Sequence, residues 1–318
     1  MPHQLPDIPG DLVEAITSRR CVLFTGAGVS RASVQVKKKT TEQYLPNWEG
    51  LLILLVDRAV QNGHTTPPEG NKLRDSVKQG KYLFVAETVR RLLGARDFDD
   101  VLEDIFRNDR LRPTNRHKLI SRIPFSCIVT TNYDKLLEAT YAQNGYLPPT
   151  YTFSDSPNVI SALSHERFFI LKAHGDIDRK ESLVLSERDY REIIYRQPGY
   201  RAALNTLFIT KTVLFVGTSL NDVDVRLVLE SVSESFSGKG LIHYAIVPSQ
   251  SFSDAELQHW REFFGIQLLL YKATKGHPQV DQILNILRKK VEMKTKKKPN
   301  KANAANAKNH AAELCVRE

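Results

Sequence analysis

The run Cys21-Val22-Leu23-Phe24 breaks directly into Thr25-Gly26-Ala27-Gly28-Val29-Ser30, and few folds accommodate such a junction. Four apolar, β-rich residues fit a strand buried on both faces. The glycines then allow a sharp turn and a close backbone approach. Ser30 offers a cap for the helix that follows. Strand, glycine turn and helix start is the arrangement that aims backbone N–H groups at a phosphate. A tight turn without a ligand is the plainer alternative. The usual dinucleotide fingerprint is not completed, because Arg31 stands where a third glycine packs helix against strand. The loop therefore suggests a dinucleotide and argues against an ordinary hydride-transfer enzyme.

Downstream, strand signals recur at 126–131 (SCIVTT), 168–171 (FFIL), 213–216 (VLFV), 242–247 (IHYAIV) and 267–271 (QLLLY). A helical pattern at 11–20 leads into the first strand, and others at 134–143, 187–209, 222–233 and 254–264 lie between most of the later ones. This rhythm predicts an α/β fold, a Rossmann-like, doubly wound and mostly parallel sheet. Its ligands sit beyond the carboxyl ends of the strands. Between the first strand and the second, residues from about 45 to 118 carry only three-to-four-residue apolar spacing, which predicts a helical insertion subdomain. Asp97, Asp99, Asp100, Glu103 and Asp104 fall at the start of its last helix, where they suit the helix dipole. The basic stretch from Arg31 to Tyr44 reads as a solvated loop or a flap near the phosphates.

Charge is distributed unevenly. Of the formal net charge of +9, seven units come from residues 288–318, with ten Lys and Arg against three Glu. The body is close to neutral, so a whole-chain argument for nucleic-acid binding fails. The tail, poor in apolar residues, is expected to be disordered and to touch nucleic acid only weakly, if at all. Cys21, Cys127 and Cys315 are far apart and form no C-x-x-C pair, which supports neither a disulfide framework nor a zinc site. The start shows no leader pattern, and the apolar run 51–56 is too short to span a bilayer. A cytoplasmic protein without a membrane contact or a metal is expected.

Three further motifs fall at strand ends. Thr131-Asn132-Tyr133-Asp134 offers a fixed amide and an acid that suits a helix cap as well as a site. Lys172-Ala173-His174-Gly175-Asp176 places a histidine at the rim of the sheet, where it is a candidate base. Gly217-Thr218-Ser219-Leu220-Asn221-Asp222 permits a second close backbone approach.

In this order and context, GAGVS, TTNYD, HGD and GTSLND resemble the sirtuin superfamily, specifically its zinc-less NAD-hydrolase branch of antiphage effectors, over about residues 10–285. The resemblance implies NAD as the ligand and substrate, held by Gly26, Ala27, Gly28, Val29, Ser30, Thr131, Gly217, Thr218 and Ser219. It places the essential asparagine at Asn132, the catalytic histidine at His174 and a supporting acid at Asp134. Residues 1–287 are then the catalytic domain and 288–318 a basic tail. Two departures accompany it. Classical deacylating members carry a four-cysteine zinc module that this chain lacks. The proline-aromatic segment corresponds to Leu45-Pro46-Asn47-Trp48, after a longer spacer than usual.

Nicotinamide leaves NAD as a neutral molecule and needs no general acid. The site must supply a polar cradle for an oxocarbenium-like ribose, a positioned nucleophile and a base. Where no acyl-lysine enters, water is the acceptor and the products are nicotinamide and ADP-ribose. The expectation is an NAD+ glycohydrolase acting as a regulated, NAD-depleting effector, held off through the helical insertion and homo-oligomerisation, with a trigger from a separate sensor or activator. A protein deacylase and a non-catalytic NAD- or ADP-ribose-binding regulator remain as alternatives.

Overall fold

The computed structural model describes residues 5–31, 34–35, 43–107, 111–220, 226, 228–230 and 240–297. Its strands are β1 (Cys21–Thr25), β2 (Val34–Gln35), β3 (Gln43–Tyr44), β4 (Cys127–Thr130), β5 (Thr150–Thr152), β6 (Ile170–Lys172), β7 (Thr212–Val216), β8 (His243–Pro248) and β9 (Ile266–Tyr271). β2 and β3 form a small antiparallel pair. The other seven make one sheet in the order β5-β6-β4-β1-β7-β8-β9, with every pairing parallel. All five residues of β1 are buried, as its apolar run requires at the centre of such a sheet.

Strand periodicity divides the core into two layers. Val22 and Phe24 face one side with Cys127, Val129, Leu171 and Phe215. Cys21 and Leu23 face the other with Ile128, Ile170 and Leu214. The first side is covered by α8 (Ser156–Ser164), α9 (Glu187–Arg196), α10 (Pro198–Thr210) and α11 (Asp254–Phe264), through Val159, Ile193, Leu204 and Trp260. The second is covered by α1 (Gly10–Thr17), α6 (Asn115–Ile120), α7 (Leu136–Gln143) and α12 (Pro278–Lys297), through Ile16, Ile120, Leu137 and Leu284. Burial pushes the thiols of Cys21 and Cys127 well up, so both are inert core residues.

The helical insertion comprises α3 (Trp48–Gln61), α4 (Pro67–Lys78) and α5 (Tyr82–Phe106). α5 is kinked at Gly94, whose φ of 69° no L-residue adopts comfortably. A third core of Leu52, Leu55, Val85, Val89 and Leu102 joins the insertion to the sheet domain through Tyr133, Leu136, Ile177 and Leu183. The acidic group beyond the kink is stitched to its neighbours, Asp97 by a hydrogen bond with His64 at 2.9 Å, and Glu103 and Asp104 by ion pairs with Lys180 at 2.8 Å and Arg58 at 3.4 Å.

The structure departs from the sequence reading in three places. The helix expected at 187–209 is two, because Pro198 has no N–H to continue the first and restricts Gln197 before it. β5 and α8 lie in a stretch read as neither strand nor helix. The tail boundary expected at 287/288 falls inside α12: Val291 is buried, and Lys290 Nζ bonds Asp7 Oδ1 at 3.0 Å. Residues 298–318, most of the expected helix 222–233 and most of the basic spacer 31–44 lie outside the described residues. Among the described residues no helix is long and apolar enough to cross a membrane.

Candidate active site

β1 is flanked by β4 on one side and β7 on the other, and from these the chain runs to opposite edges of the sheet. A crevice opens at such a reversal, beyond the carboxyl ends of the strands. A cavity of about 900 Å³ occupies that position. Four strand ends reach it: Gly26, Ala27, Gly28 and Ser30 after β1; Thr131, Asn132, Tyr133 and Asp134 after β4; His174 after β6; and Gly217, Thr218 and Ser219 after β7. The insertion supplies the remaining wall with Leu45, Pro46, Asn47 and Trp48 before and at the start of α3, and Gly80 to Phe84 before and in the first turn of α5.

The two glycine turns are locked to each other. A Cβ on Gly28 would stand 2.7 Å from Gly217 Cα, and one on Gly26 would stand 2.9 Å from Thr218 Cα. The Gly28 amide donates to the Gly217 carbonyl at 2.8 Å, and the Gly26 amide to Val216 at 3.4 Å. Gly217 itself has a φ of 66°. These amides, expected from the sequence to face a phosphate, instead join the loops after β1 and β7. Val29 differs from its neighbours as well. Its apolar side chain packs into the core beside Cys21 and Val216, away from the cavity, on the short helix α2 (Ala27–Ser30).

Asn132 is held by a relay that begins in α6. The Thr114 amide donates to His117 Nδ1 at 3.2 Å, completing a capping box. Burial pushes the His117 imidazole down to about 4, so the ring is neutral and its proton lies on Nε2. Nε2 then donates to Ser30 Oγ at 3.4 Å, and Asn132 Nδ2 donates to the same oxygen at 3.0 Å. Asn132 lines the cavity with its amide nitrogen fixed this way, and the oxygen of such an amide can only accept. Arg116 braces the glycine loop beside this relay, donating to Gly28 O at 2.6 Å and to Asp281 of α12 at 3.0 Å.

His174 is buried against Tyr190 of α9, with the rings nearly perpendicular at 5.4 Å and the Tyr190 Oη–Nε2 distance 3.4 Å. Its carbonyl accepts from the Val184 amide, and Gly175, with φ 92°, lets the next turn pass the Ser182 carbonyl. Asp134 lines the cavity and caps: its Oδ1 accepts the Leu136 amide at the start of α7, at 3.0 Å. In register, Thr130 of β4 pairs with Lys172 of β6, so Asn132 and His174 each stand two residues beyond one paired position. Lys172 opened the motif that carries His174 but was given no role there, and none was assigned to Arg116, His117 or Tyr190. For His117 the one local signal was Thr114 three residues before it.

A family description, SIR2-like domain, matches residues 126–269. Defense-associated sirtuin 2 of Bacillus subtilis is 28% identical over 228 residues, covering 70% of this chain and 20% of that protein. NAD(+) hydrolase ThsA of Enterococcus faecium is 26% identical over 283 residues, covering 85% of this chain and 51% of that one. The chain thus spans about half or less of the length of these relatives. A solved structure described as "Structural Basis for the Mechanism and Regulation of Sir2 Enzymes" matches at a TM-score of 0.40 and 13% identity, over 88% of this chain and 97% of that one. The stretch carrying Asn132, His174 and the Gly217 turn lies within the residues that match the SIR2-like domain.

Proposed function

We propose that this chain is an NAD+ glycohydrolase that cleaves NAD to nicotinamide and ADP-ribose. One observation carries the reading: Asn132 and His174, two residues past a paired position on adjacent strands, open into the one cavity that also meets both glycine turns. The names of the relatives agree with it, since one is an NAD(+) hydrolase and another a defence-associated sirtuin.

The chemistry suits these groups. The bond that breaks joins the nicotinamide nitrogen to C1′ of its ribose, and its electron pair neutralises the ring nitrogen. The ribose acquires oxocarbenium character, which oriented dipoles stabilise better than water does. Asn132 Oδ1, aimed by the Ser30 bond, can accept from the attacking water or a ribose hydroxyl. His174 can take the proton that the water releases, with Tyr190 holding its ring. Trp48, Tyr82, Leu83 and Phe84 give the cavity an apolar flank suited to a planar ring. The Gly26–Ser30 and Gly217–Ser219 turns line the part of the cavity where the pyrophosphate and the ribose would lie, although the Gly26 and Gly28 amides are already committed to the loop after β7.

The same reading makes the chain an NAD-depleting defence effector in the cytoplasm, kept inactive until a partner or self-assembly releases it. The test is nicotinamide release from NAD by the purified full chain, with product identified as ADP-ribose. Asn132→Ala and His174→Ala should each lower the rate at least about 100-fold. Equal release by these variants would overturn the assignment.

A further inference from the structure

Lys172 is the last residue of β6, and its side chain is 0% exposed. Its ammonium donates to the Tyr133 carbonyl at 3.0 Å and to the Asp134 carbonyl at 2.5 Å. These are the two carbonyls that immediately follow Asn132. One side chain on the His174 strand thus fastens the turn that presents Asn132. The ladder between β4 and β6 ends at the Thr130–Lys172 pair, just before both functional residues. Beyond it the Tyr133 carbonyl also meets the Ile177 amide at 3.3 Å, so this turn is held from the β6 side.

A buried cation needs compensation. Nζ lies 3.3 Å from Glu138 and 3.8 Å from Asp176, and Lys135 bonds Asp176 at 2.7 Å while reaching Glu138 at 3.3 Å. Lys135 also reaches Asp178 at 3.4 Å, so two ammonium groups face three carboxylates around the turn. Burial alone would raise the Asp176 pKa, but Lys172 and Lys135 outweigh it and hold it below the usual carboxylate range. Charge balance does not account for the aim of Nζ at two main-chain carbonyls.

We propose that Lys172 is a positioning residue: its ammonium clamps the turn after β4 to the end of β6 and thereby sets the spacing of the Asn132 amide and the His174 imidazole. The proposal rests on the NAD-hydrolysing reading of the same cavity. It acts on the reacting bond and not on the glycine turns, so it predicts a loss in kcat with KM little changed.

The experiment uses the full chain carrying Lys172→Met together with Glu138→Gln, which removes one cation and one carboxylate. The thermal midpoint should return close to wild type, while kcat for nicotinamide release stays about 100-fold low and KM moves less than about threefold, the signature of misplaced reacting groups. Lys172→Gln with Glu138→Gln keeps one donor and should regain about tenfold of that loss. The side-chain amide resonance of Asn132, assigned by its disappearance in Asn132→Ala, should shift in the Met variant. Full recovery of kcat with that resonance unmoved would reduce Lys172 to a charge balancer and overturn the proposal. If the wild-type chain releases no nicotinamide, the hydrolase reading falls, and the Asn132 resonance decides alone: moved supports the clamp, unmoved overturns it.

Discussion

A methyl group at Gly28 would meet Gly217 Cα at 2.7 Å and its carbonyl oxygen at 2.8 Å, and both are main-chain atoms that no rotamer change can withdraw. Gly28→Ala should therefore part the two turns, lowering stability by about 1–3 kcal/mol and nicotinamide release with it; urea unfolding and the release assay check both. Ser30→Ala tests a different dependence. It removes the acceptor shared by His117 and Asn132, leaving two buried donors without their partner. Such a loss is worth about 1–3 kcal/mol, so if it falls on the transition state the rate should drop between about fivefold and 150-fold. A rate within threefold of wild type would show that Asn132 holds its orientation without Ser30. The glycines were conspicuous in the sequence, yet their reason was only half legible. A pattern of small residues reports close approach, and it does not say whether a ligand or another loop approaches. His117, Arg116 and Lys172 were illegible for a related reason. Each acts on a residue that the fold brings near, and a lone histidine or lysine has no spacing to betray it.

The buried strands were easy to read because a parallel strand covered on both faces must be a short apolar run, and β1, β4, β7 and β8 obey that rule, while the edge strand β9 keeps an apolar run with Gln267, Leu268 and Leu270 only half-buried. β5 escaped because it is a three-residue edge strand whose Thr150 and Tyr151 are only half-buried. The insertion was legible as helices, but its points of attachment were not. Phe106 at the end of α5 packs edge-on against Tyr133 at 5.3 Å, next to Asn132. Arg90 of α5 reaches both carboxylate oxygens of Asp189 at 2.6 Å, and Asp189 caps α9 by accepting the Ser186 amide at 2.9 Å. Tyr190, the next residue, meets His174. The insertion thus leans on both halves of the site, through an aromatic contact on one side and an ion pair on the other. Arg90→Gln should leave the fold standing, since a half-exposed pair contributes only about 1 kcal/mol or less. It should nonetheless reduce kcat several-fold by loosening Tyr190 behind the imidazole. Measuring the thermal midpoint and kcat on one preparation separates the two effects, and an unchanged kcat would show that this contact does not couple the insertion to the site.

Two histidines buried in opposite layers give the molecule a common response to acid. His117 sits beneath the glycine loop, and His243 of β8 accepts the Val213 amide of β7 through Nδ1 at 3.1 Å. Burial pushes each imidazole down to about 4, from an ordinary 6.5. Between those two values the unfolded chain binds protons that the folded chain refuses, so folding stability falls as pH drops through this window. Above pH 6.5 neither histidine carries a penalty, and below about 4 the loss levels off. Each can cost at most about 3 kcal/mol across the window, which together is a large share of the stability of an ordinary domain. Carboxylates act lower: Asp155 and Asp176 are held below 3.8, and what they contribute is lost only as pH falls through their depressed range. The urea midpoint should therefore decline from pH 6.5 toward 4, before the carboxylates protonate. His243→Asn keeps an acceptor for Val213 but cannot titrate, so its stability should fall less steeply over the same interval while its rate at pH 7.5 stays near wild type. A wild-type midpoint flat between pH 6.5 and 4 would mean that these rings are already reached by protons in the folded state, and the neutral His117 that aims Ser30 at Asn132 would lose its basis.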